Sequence, residues 1–249
     1  MKNKTQQNIA IIVSGGEGTR FKQSLLDYLS NNVLQSLPNI LVRSSFIDAF
    51  GEVKINTKSI FANKKVIGFS KQNLILSEHN LSIVEKSVIS FSNNDLIDTI
   101  IVVKSKDTDI NYLKHLKISQ DLFFVESGET RLQSVANALL FIKNNINFSN
   151  NGNVLIHDAA RPFINNNIIT SIAQSLDNKD FYGSIPCIQS SDTIKQFSVE
   201  KGIATLDRNL IYQAQTPQGF VFDKIFECYK KLNIFDNQNF HNNSITDDS

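Results

Sequence analysis

The chain has 249 residues, of which 41% are hydrophobic, and its formal net charge is +1. This length and apolar content are sufficient for one large α/β domain or two small ones with a proper core. No basic block stands out, which argues against a nucleic-acid partner bound through its phosphates and against a polybasic membrane anchor. We therefore expect a globular protein that binds a small ligand.

The two cysteines and the polar start of the chain indicate in which cellular compartment the protein resides. Cys187 and Cys228 lie far apart and show no C-x-x-C or His/Cys ligand spacing, so neither a disulfide framework nor a zinc site is expected. The segment Met1–Asn8 lacks the apolar stretch of a signal peptide, and no apolar run approaches the roughly 20 residues that span a bilayer. These features predict a cytoplasmic protein without a membrane segment.

A glycine-rich turn follows the first apolar run. Ala10–Val13 predicts a short, fully buried parallel strand. The turn after it contains a serine, three glycines and an arginine, namely Ser14, Gly15, Gly16, Gly18 and Arg20. Glycine lets backbone N–H groups approach phosphate oxygens, and a guanidinium offers a planar fork of donors. Because the spacing matches neither the dinucleotide nor the Walker pattern, a phosphate cradle and an ordinary tight turn both remain open.

Apolar periodicity predicts alternating helices and strands from Leu81 onwards. The predicted helices are Leu81–Phe91, Asp107–Leu116, Thr130–Ile142, Asn165–Leu176 and Phe220–Leu232. The predicted strands are Ile97–Val103, Leu122–Val125, Val154–Ile156, Gly183–Pro186 and Thr193–Phe197. This alternation predicts an α/β fold with a mostly parallel central sheet and helices on both faces, in a single domain over residues 1–249. Ligands of such sheets bind outside the carboxyl ends of the strands.

Two strand ends carry polar residues that core packing does not require. After Val154–Ile156 come Asp158 and Arg161, which place an acid and a guanidinium at the carboxyl edge of the sheet. A salt-bridged turn in which Asp158 caps nearby amides explains them equally well. After Leu122–Val125 the next helix begins at Thr130, for which the role of a simple N-cap is sufficient.

Five further motifs occur in a fixed order. They are G-E-T-R-L-Q-S-V-A-N-A-L at Gly128–Leu139, H-D-A-A-R-P-F at His157–Phe163, L-D-R at Leu206–Arg208, A-Q-T-P-Q-G-F at Ala214–Phe220 and the final I-T-D-D-S. Together with the glycine-rich turn, they closely resemble the motifs of the 2-C-methyl-D-erythritol 4-phosphate cytidylyltransferase family, which acts in the non-mevalonate isoprenoid pathway. The resemblance covers Ile9–Phe21 and Ser70–Ser249 and implies a Rossmann-like nucleotidyltransferase fold with a small protruding dimerisation arm.

The resemblance implies a specific reaction. The phosphate of 2-C-methyl-D-erythritol 4-phosphate attacks the α-phosphorus of CTP, giving 4-diphosphocytidyl-2-C-methyl-D-erythritol and pyrophosphate. Such a step requires no protein nucleophile. It requires positive charge around the reacting phosphorus, in-line placement of two anions and a divalent cation such as Mg²⁺ to hold the triphosphate.

The resemblance also implies roles for individual residues. The catalytic cations are Arg20 and Lys71. The CTP-binding residues are Ser14, Gly15, Gly16, Gly18, Gly128, Ser134 and Asp158. The residues that hold the alcohol phosphate are Arg161, Thr193, Arg208, Thr216 and Thr246. Asp158 is also the implied metal ligand. For Lys71 the alternative is a solvated surface lysine, and Lys22 is a competing candidate because it too precedes a glutamine.

The family is usually a homodimer in which an arm from each subunit reaches the site of its partner. The resemblance places the arm in the region around Thr193 and in Leu206–Asn209. Arg208 would then act across the subunit interface.

Two departures from the family pattern leave alternatives open. Arg20 and Lys71 enclose an insertion at about 22–69, which we interpret as a tolerated surface loop. The sequence stops at Ser249, where the family continues with a strand and a helix that carry another lysine, so we expect a truncated C-terminus. The alternatives are a D-ribitol 5-phosphate cytidylyltransferase and a catalytically impaired nucleotide-binding remnant.

Overall fold

The computed structural model describes residues 6–14, 81–106, 111–148 and 151–235, together with the backbone of three short strands within residues 39–76. The strands are β1 (Asn8–Val13), β2 (Asn39–Val42), β3 (Val53–Asn56), β4 (Ile75–Leu76), β5 (Leu81–Ser82), β6 (Thr99–Lys104), β7 (Asp121–Glu126), β8 (Asn153–Asp158), β9 (Gly183–Ser184), β10 (Cys187–Gln189), β11 (Lys195–Ser198), β12 (Gly202–Thr205), β13 (Tyr212–Ala214) and β14 (Gln218–Val221). The α-helices are α1 (Ile83–Ser92), α2 (Arg131–Asn145), α3 (Asn166–Ser175) and α4 (Phe222–Lys231).

A six-stranded sheet in the order β7-β6-β1-β8-β14-β9 forms the centre of the fold. β7, β6, β1 and β8 run parallel, whereas β14 is antiparallel to both β8 and β9. The register pairs Ile11 of β1 with Ile101 on one side and with Ile156 on the other. The sheet is therefore mixed but mostly parallel, as the alternation of strands and helices predicted.

Strand β1 supplies apolar side chains to both faces of this sheet, because successive residues of a strand point to opposite sides. Ile9, Ile11 and Val13 belong to an apolar cluster with residues of α2 and α4. Ala10 and Ile12 belong to a second cluster with residues of α1 and α3. The prediction of a fully buried strand covered by helices on both faces is confirmed.

Side-chain caps fix where two of the helices begin. Ser82 and Glu85 form a capping box at the start of α1, and Thr130 and Gln133 form one at the start of α2. Each box pairs otherwise unsatisfied backbone N–H groups with side-chain oxygens. The interpretation of Thr130 as an N-cap is thus confirmed.

Three of the predicted helices differ from the structure. The helix predicted at Leu81–Phe91 begins at Ile83, because Leu81 and Ser82 form β5. Of the helix predicted at Asp107–Leu116, the described residues form only a 3₁₀ helix at Asn111–His115. The last helix starts at Phe222, two residues later than predicted, because Phe220 and Val221 belong to β14 and pair with β8. The apolar periodicity of that segment reflects a strand and a helix joined directly.

Outside the central sheet the chain forms smaller antiparallel units. β2, β3, β4 and β5 pair in that order, so part of the segment at about 22–69 contributes strands of its own. β10 pairs with β13 and β11 with β12; we call this unit, residues 187–214, the arm. Among the described residues, no helix is sufficiently long and apolar to cross a membrane.

The close packing of α3 on β14 leads to a stability prediction. A Cβ at Gly219 would lie 2.5 Å from Cγ2 of Ile172 and 3.1 Å from Cδ1 of Leu176. Gly219→Ala is therefore expected to lower the free energy of unfolding by about 1–3 kcal/mol, measured by urea denaturation. Gly183→Ala is the control, since the closest atoms to its Cβ would be those of the Phe220 ring, at 3.1 Å. An equal loss in both variants would contradict this account.

Candidate active site

The four parallel strands end at one edge of the sheet, where their backbone hydrogen bonds continue into the loops. The Ser14 N–H donates to the carbonyl of Val103 at 2.8 Å, and the Ala159 N–H donates to the carbonyl of Val13 at 3.0 Å. The hydroxyl of Ser14 also donates to Val103, at 2.8 Å. Ser14 is therefore fixed between the ends of β1 and β6, next to the residues that follow β8.

An acid at the end of β8 lies between two guanidinium groups. Nε of Arg131 donates to Oδ1 of Asp158 at 2.9 Å, and Nε of Arg161 lies 3.8 Å from Oδ2. Arg161 also donates to the side-chain oxygen of Gln215. The three charged side chains are partly exposed, and two guanidinium groups against one carboxylate leave this cluster with a net positive charge. Such a cluster attracts anions.

Helix α1 holds the loop that carries Arg161. The hydroxyl of Ser87 donates to the carbonyl of Ala159 at 3.0 Å, and that of Ser90 donates to the carbonyl of Pro162 at 3.4 Å. Within the loop, the Arg161 N–H donates to the carbonyl of Asp158 at 2.9 Å. The backbone that presents Arg161 is therefore fixed from α1 and by its own turn.

The segment before β14 reaches the same edge of the sheet. This is because β14 runs antiparallel to β8 and therefore begins where β8 ends. Thr216 lies in this segment and is buried. Its Oγ1 lies 2.9 Å from Nδ1 of His157 and accepts the backbone N–H of Asp158 at 3.3 Å. Nε2 of His157 lies 3.1 Å from the carbonyl oxygen of Arg161. These contacts join the end of β8 to the start of β14.

The loop between β7 and α2 folds tightly against the first turn of the helix. The hydroxyl of Ser134 accepts the Gly128 N–H at 3.1 Å and donates to the carbonyl of Thr130 at 2.8 Å. Oε1 of Gln133 accepts the N–H of Glu129 at 3.0 Å. A Cβ at Gly128 would lie 2.3 Å from Cβ of Gln133 and 3.0 Å from its carbonyl carbon, so only glycine fits there without moving backbone.

Two further candidate residues lie in the arm. Thr193 precedes β11 and is exposed. Arg208 starts a 3₁₀ helix, Arg208–Leu210, and its Nη1 donates to the carbonyl of Ser191 at 3.0 Å. This bond keeps the segment around Thr193 close to the segment that carries Arg208.

These residues occur in the order and spacing of one known family. The sequence profile described as IspD: 2-C-methyl-D-erythritol 4-phosphate cytidylyltransferase matches residues 63–249. The chain belongs to this family. Its resemblance to the family, inferred from the motifs alone, is thereby confirmed.

Individual relatives cover a smaller part of the chain. It is 38% identical over 149 residues to the 2-C-methyl-D-erythritol 4-phosphate cytidylyltransferase of Clostridium novyi, which corresponds to 57% of this chain and 60% of that protein. It is 37% identical over 150 residues to the bifunctional enzyme IspD/IspF of Pelagibacter ubique, corresponding to 60% of this chain and 35% of the relative. The matched part thus spans about 60% or less of the length of these two relatives.

A solved structure supports the fold. The 4-diphosphocytidyl-2C-methyl-D-erythritol synthase of Anaerococcus prevotii superposes with a TM-score of 0.62 at 21% sequence identity, covering 98% of this chain and 81% of that one. The similarity confirms the α/β nucleotidyltransferase fold, with its mostly parallel central sheet.

The structure brings together some of the residues predicted from the cytidylyltransferase motifs. Asp158, Arg161 and Thr216 form one hydrogen-bonded cluster beside Ser14, and Gly128 and Ser134 bond to each other at the start of α2. Thr193 and Arg208 lie in the arm, and no contact joins them to this cluster among the contacts given above. Six further predicted residues lie outside the described part of the chain, namely Gly15, Gly16, Gly18, Arg20, Lys71 and Thr246.

Two residues of the cluster escaped the sequence-based prediction, namely Arg131 and His157. Both lie within motifs that the sequence displays, yet neither motif indicates what these side chains contact. Only the position of α2 above β8 reveals that Arg131 pairs with Asp158. Only the antiparallel pairing of β14 reveals that His157 bonds to Thr216.

The described residues offer few oxygen donors for a divalent cation. No group of three or more His, Cys, Asp or Glu side chains that could hold a metal occurs within the part of the chain that the structure describes. Asp158 offers a single carboxylate, already bonded to Arg131. Mg²⁺ is commonly held by one or two carboxylates plus substrate phosphates, so this donor set fits a cation that arrives with a triphosphate and does not form a preformed cage.

A cavity of about 290 Å³ adjoins the Gly128 loop. Its lining includes Gly128 and Glu129, residues of α2 such as Asn137, and the apolar pair Ile234 and Phe235. Neither Asp158 nor Arg161 lines it. The cavity thus adjoins the Gly128 loop, whereas the charged cluster at the sheet edge does not contribute to its lining.

The buried imidazole of His157 gives a prediction for the pH dependence of stability. Burial lowers the pKa of His157 from 6.5 to about 4, although the nearby Asp158 charge acts in the opposite direction. Between these values the unfolded chain binds a proton that the folded protein excludes. The contribution of His157 to the free energy of unfolding is thus fully present above about pH 6.5. It decreases by about 3 kcal/mol as the pH falls to 4. Urea unfolding at several pH values measures the slope.

His157→Phe is the matched control for this prediction, since phenylalanine fills the site without titrating. Its unfolding free energy should vary less steeply between pH 6.5 and 4 than that of the wild type. Parallel curves for the two proteins would show that His157 does not carry the effect.

Proposed function

We propose that this chain transfers a cytidylyl group from CTP to 2-C-methyl-D-erythritol 4-phosphate, giving 4-diphosphocytidyl-2-C-methyl-D-erythritol and pyrophosphate. Membership of the cytidylyltransferase family supports the reaction class. The observation that carries the proposal is the cluster of Asp158, Arg131 and Arg161 at the carboxyl edge of the parallel strands. Ligands of parallel sheets bind at this edge, and the cluster has the excess positive charge that two phosphorylated substrates require.

The chemistry that we propose consists of charge stabilisation and placement. Attack of a phosphate oxygen on the α-phosphorus builds negative charge on the equatorial oxygens, and fixed cations lower the barrier by stabilising that charge. Arg20 and Lys71 are the proposed catalytic cations, together with the N–H groups of the turn that begins at Ser14. No side chain has to form a covalent intermediate.

The two substrates occupy two halves of the proposed site. In the nucleotide half, the Gly128 loop and Ser134 read the cytosine, and Asp158 lies near the ribose and the metal. In the alcohol-phosphate half, Arg161 supplies the bidentate donors that phosphate favours. The further members of this half are Thr193, Arg208, Thr216 and Thr246.

A divalent cation, Mg²⁺ by preference, belongs to the proposal. Asp158 would hold it together with the triphosphate oxygens of CTP. When bound, the cation supplies positive charge to the triphosphate and to the departing pyrophosphate. Arg131 keeps the Asp158 carboxylate aimed at the sheet edge through their 2.9 Å bond.

The proposal is tested by measuring pyrophosphate release from the purified protein with CTP, Mg²⁺ and an alcohol phosphate. We expect release with 2-C-methyl-D-erythritol 4-phosphate and at least tenfold lower kcat/KM with D-ribitol 5-phosphate. Arg161→Ala should lower kcat/KM by about a hundredfold, since a charge-assisted contact to phosphate is lost. Lys117→Ala, an exposed cation outside the cluster, is the matched control.

Each other outcome of this assay has a defined meaning. Turnover with ribitol phosphate alone would replace the proposed substrate. CTP binding without pyrophosphate release from either alcohol would overturn the proposed activity and indicate a nucleotide-binding protein without turnover.

We propose further that the protein is a homodimer joined through the arm. Phe197 and Ile203 lie opposite each other in the β11–β12 pair, and each is 71% exposed. Leu210 and Tyr212 are also largely exposed. Apolar side chains at this density favour a protein partner, and a second copy places Arg208 of one subunit near the alcohol-phosphate half of the other.

Ile203→Asp is expected to convert the dimer to a monomer, because it puts a charge into the apolar arm surface. Sedimentation should then report half the wild-type mass. Ile168→Asp, on α3 and outside the arm, should leave the mass unchanged. If both variants sediment as the wild type does, the arm is not the interface.

If Arg208 acts across the interface, mixed dimers of Arg208→Ala and Lys71→Ala chains should regain activity.

A further inference from the structure

His157 lies beneath the charged cluster and is fully buried. Its ring packs on Phe91 of α1, with ring centroids 5.1 Å apart. A side chain without exposed surface cannot contact a substrate that enters from solvent. Any effect of His157 on the reaction must therefore pass through the groups to which it bonds.

The partners of the two ring nitrogens determine the tautomer of His157. Nε2 faces the carbonyl oxygen of Arg161 at 3.1 Å, and a carbonyl oxygen only accepts, so Nε2 carries the hydrogen. Full burial favours the neutral ring, which leaves Nδ1 as an acceptor. The hydroxyl of Thr216, at 2.9 Å, must then donate to Nδ1.

These bonds form one directed chain across three segments of the site. The Asp158 N–H donates to Oγ1 of Thr216, whose hydroxyl donates to His157, which in turn donates to the carbonyl of Arg161. The chain links the end of β8, the Arg161 loop and the segment before β14.

We infer that His157 is a positioning residue that fixes the alcohol-phosphate half of the site, because one imidazole ring holds the backbone of Arg161 and the hydroxyl of Thr216 in a single arrangement. The inference rests on the proposed cytidylyl transfer. It adds a residue with no direct substrate contact to the set that determines affinity for the alcohol phosphate.

This arrangement also defines what Thr216 contributes. Its hydroxyl hydrogen points into the protein, so Oγ1 has no hydrogen to donate to a phosphate oxygen while the bond to His157 persists. Thr216 thus supports the site by joining β8 to the start of β14. Arg161, which is partly exposed, provides the donors that face the phosphate.

The kinetic test separates positioning from general stability. His157→Phe keeps the ring packing on Phe91 and removes both hydrogen bonds. We expect it to raise KM for the alcohol phosphate by roughly tenfold to a hundredfold and to change KM for CTP by less than about threefold. Val88→Ala, in the same apolar cluster on α1, destabilises the protein without touching these bonds and should change neither KM.

The outcomes distinguish this inference from the proposed activity. Absence of turnover in the wild type would overturn the activity and, with it, the inference. Wild-type turnover combined with an unchanged alcohol-phosphate KM in His157→Phe, or with an equal change in both KM values, would overturn the inference alone.

A second measurement observes the tautomer of His157 directly in the wild-type protein. Nitrogen-15 spectra of the wild type should show Nε2 of His157 protonated and Nδ1 unprotonated, with the signal assigned by its loss in His157→Phe or by its shift in Thr216→Val. The opposite tautomer would overturn the inference. If His157→Phe does not fold, His157→Leu replaces it in the kinetic test, with the same expected rise in KM for the alcohol phosphate.

Discussion

Strand β8 hydrogen-bonds to β1 on one side and to β14 on the other, running parallel to the first and antiparallel to the second. This pairing determines where the polar residues of the site lie. The parallel pairing of β8 with β1 puts Asp158 level with Val13, the residue before Ser14. The antiparallel pairing of β8 with β14 brings Thr216, which lies 58 residues after Asp158 in the chain, to the same edge of the sheet. If β14 ran the other way, Thr216 would lie at the opposite edge of the sheet.

Much of the fold follows from local sequence because the core strands are almost purely apolar. Ala10–Val13 and Val154–Ile156 are sufficient to predict buried parallel strands, and Thr130 marks a helix start. β14 was not predicted, because its four residues run directly into α4 and share its apolar pattern. The pairing of β14 with β8 depends on residues far apart in the chain, which periodicity does not reveal.

In the candidate site, too, some residues could be predicted from the sequence, whereas the contacts of others are revealed only by the fold. Motifs in the sequence identify Asp158, Arg161 and Thr216 by resemblance, and the fold places them in one cluster. The contacts of Arg131 and His157 depend on how α2 and β14 pack against β8, and no motif specifies that packing. Sequence thus identifies the candidate residues of a site more readily than the contacts that hold them in place.

The hydrogen bonds at the start of α2 tie the Gly128 loop to the first turn of the helix. Ser134 accepts from Gly128 and Gln133 accepts from Glu129, so the loop proposed to read the base is anchored by the same side chains that complete the first helical turn. Fraying of this turn and opening of the loop are consequently one cooperative event. A ligand that bonds to the loop would slow hydrogen exchange of the first amides of α2, although it contacts none of them.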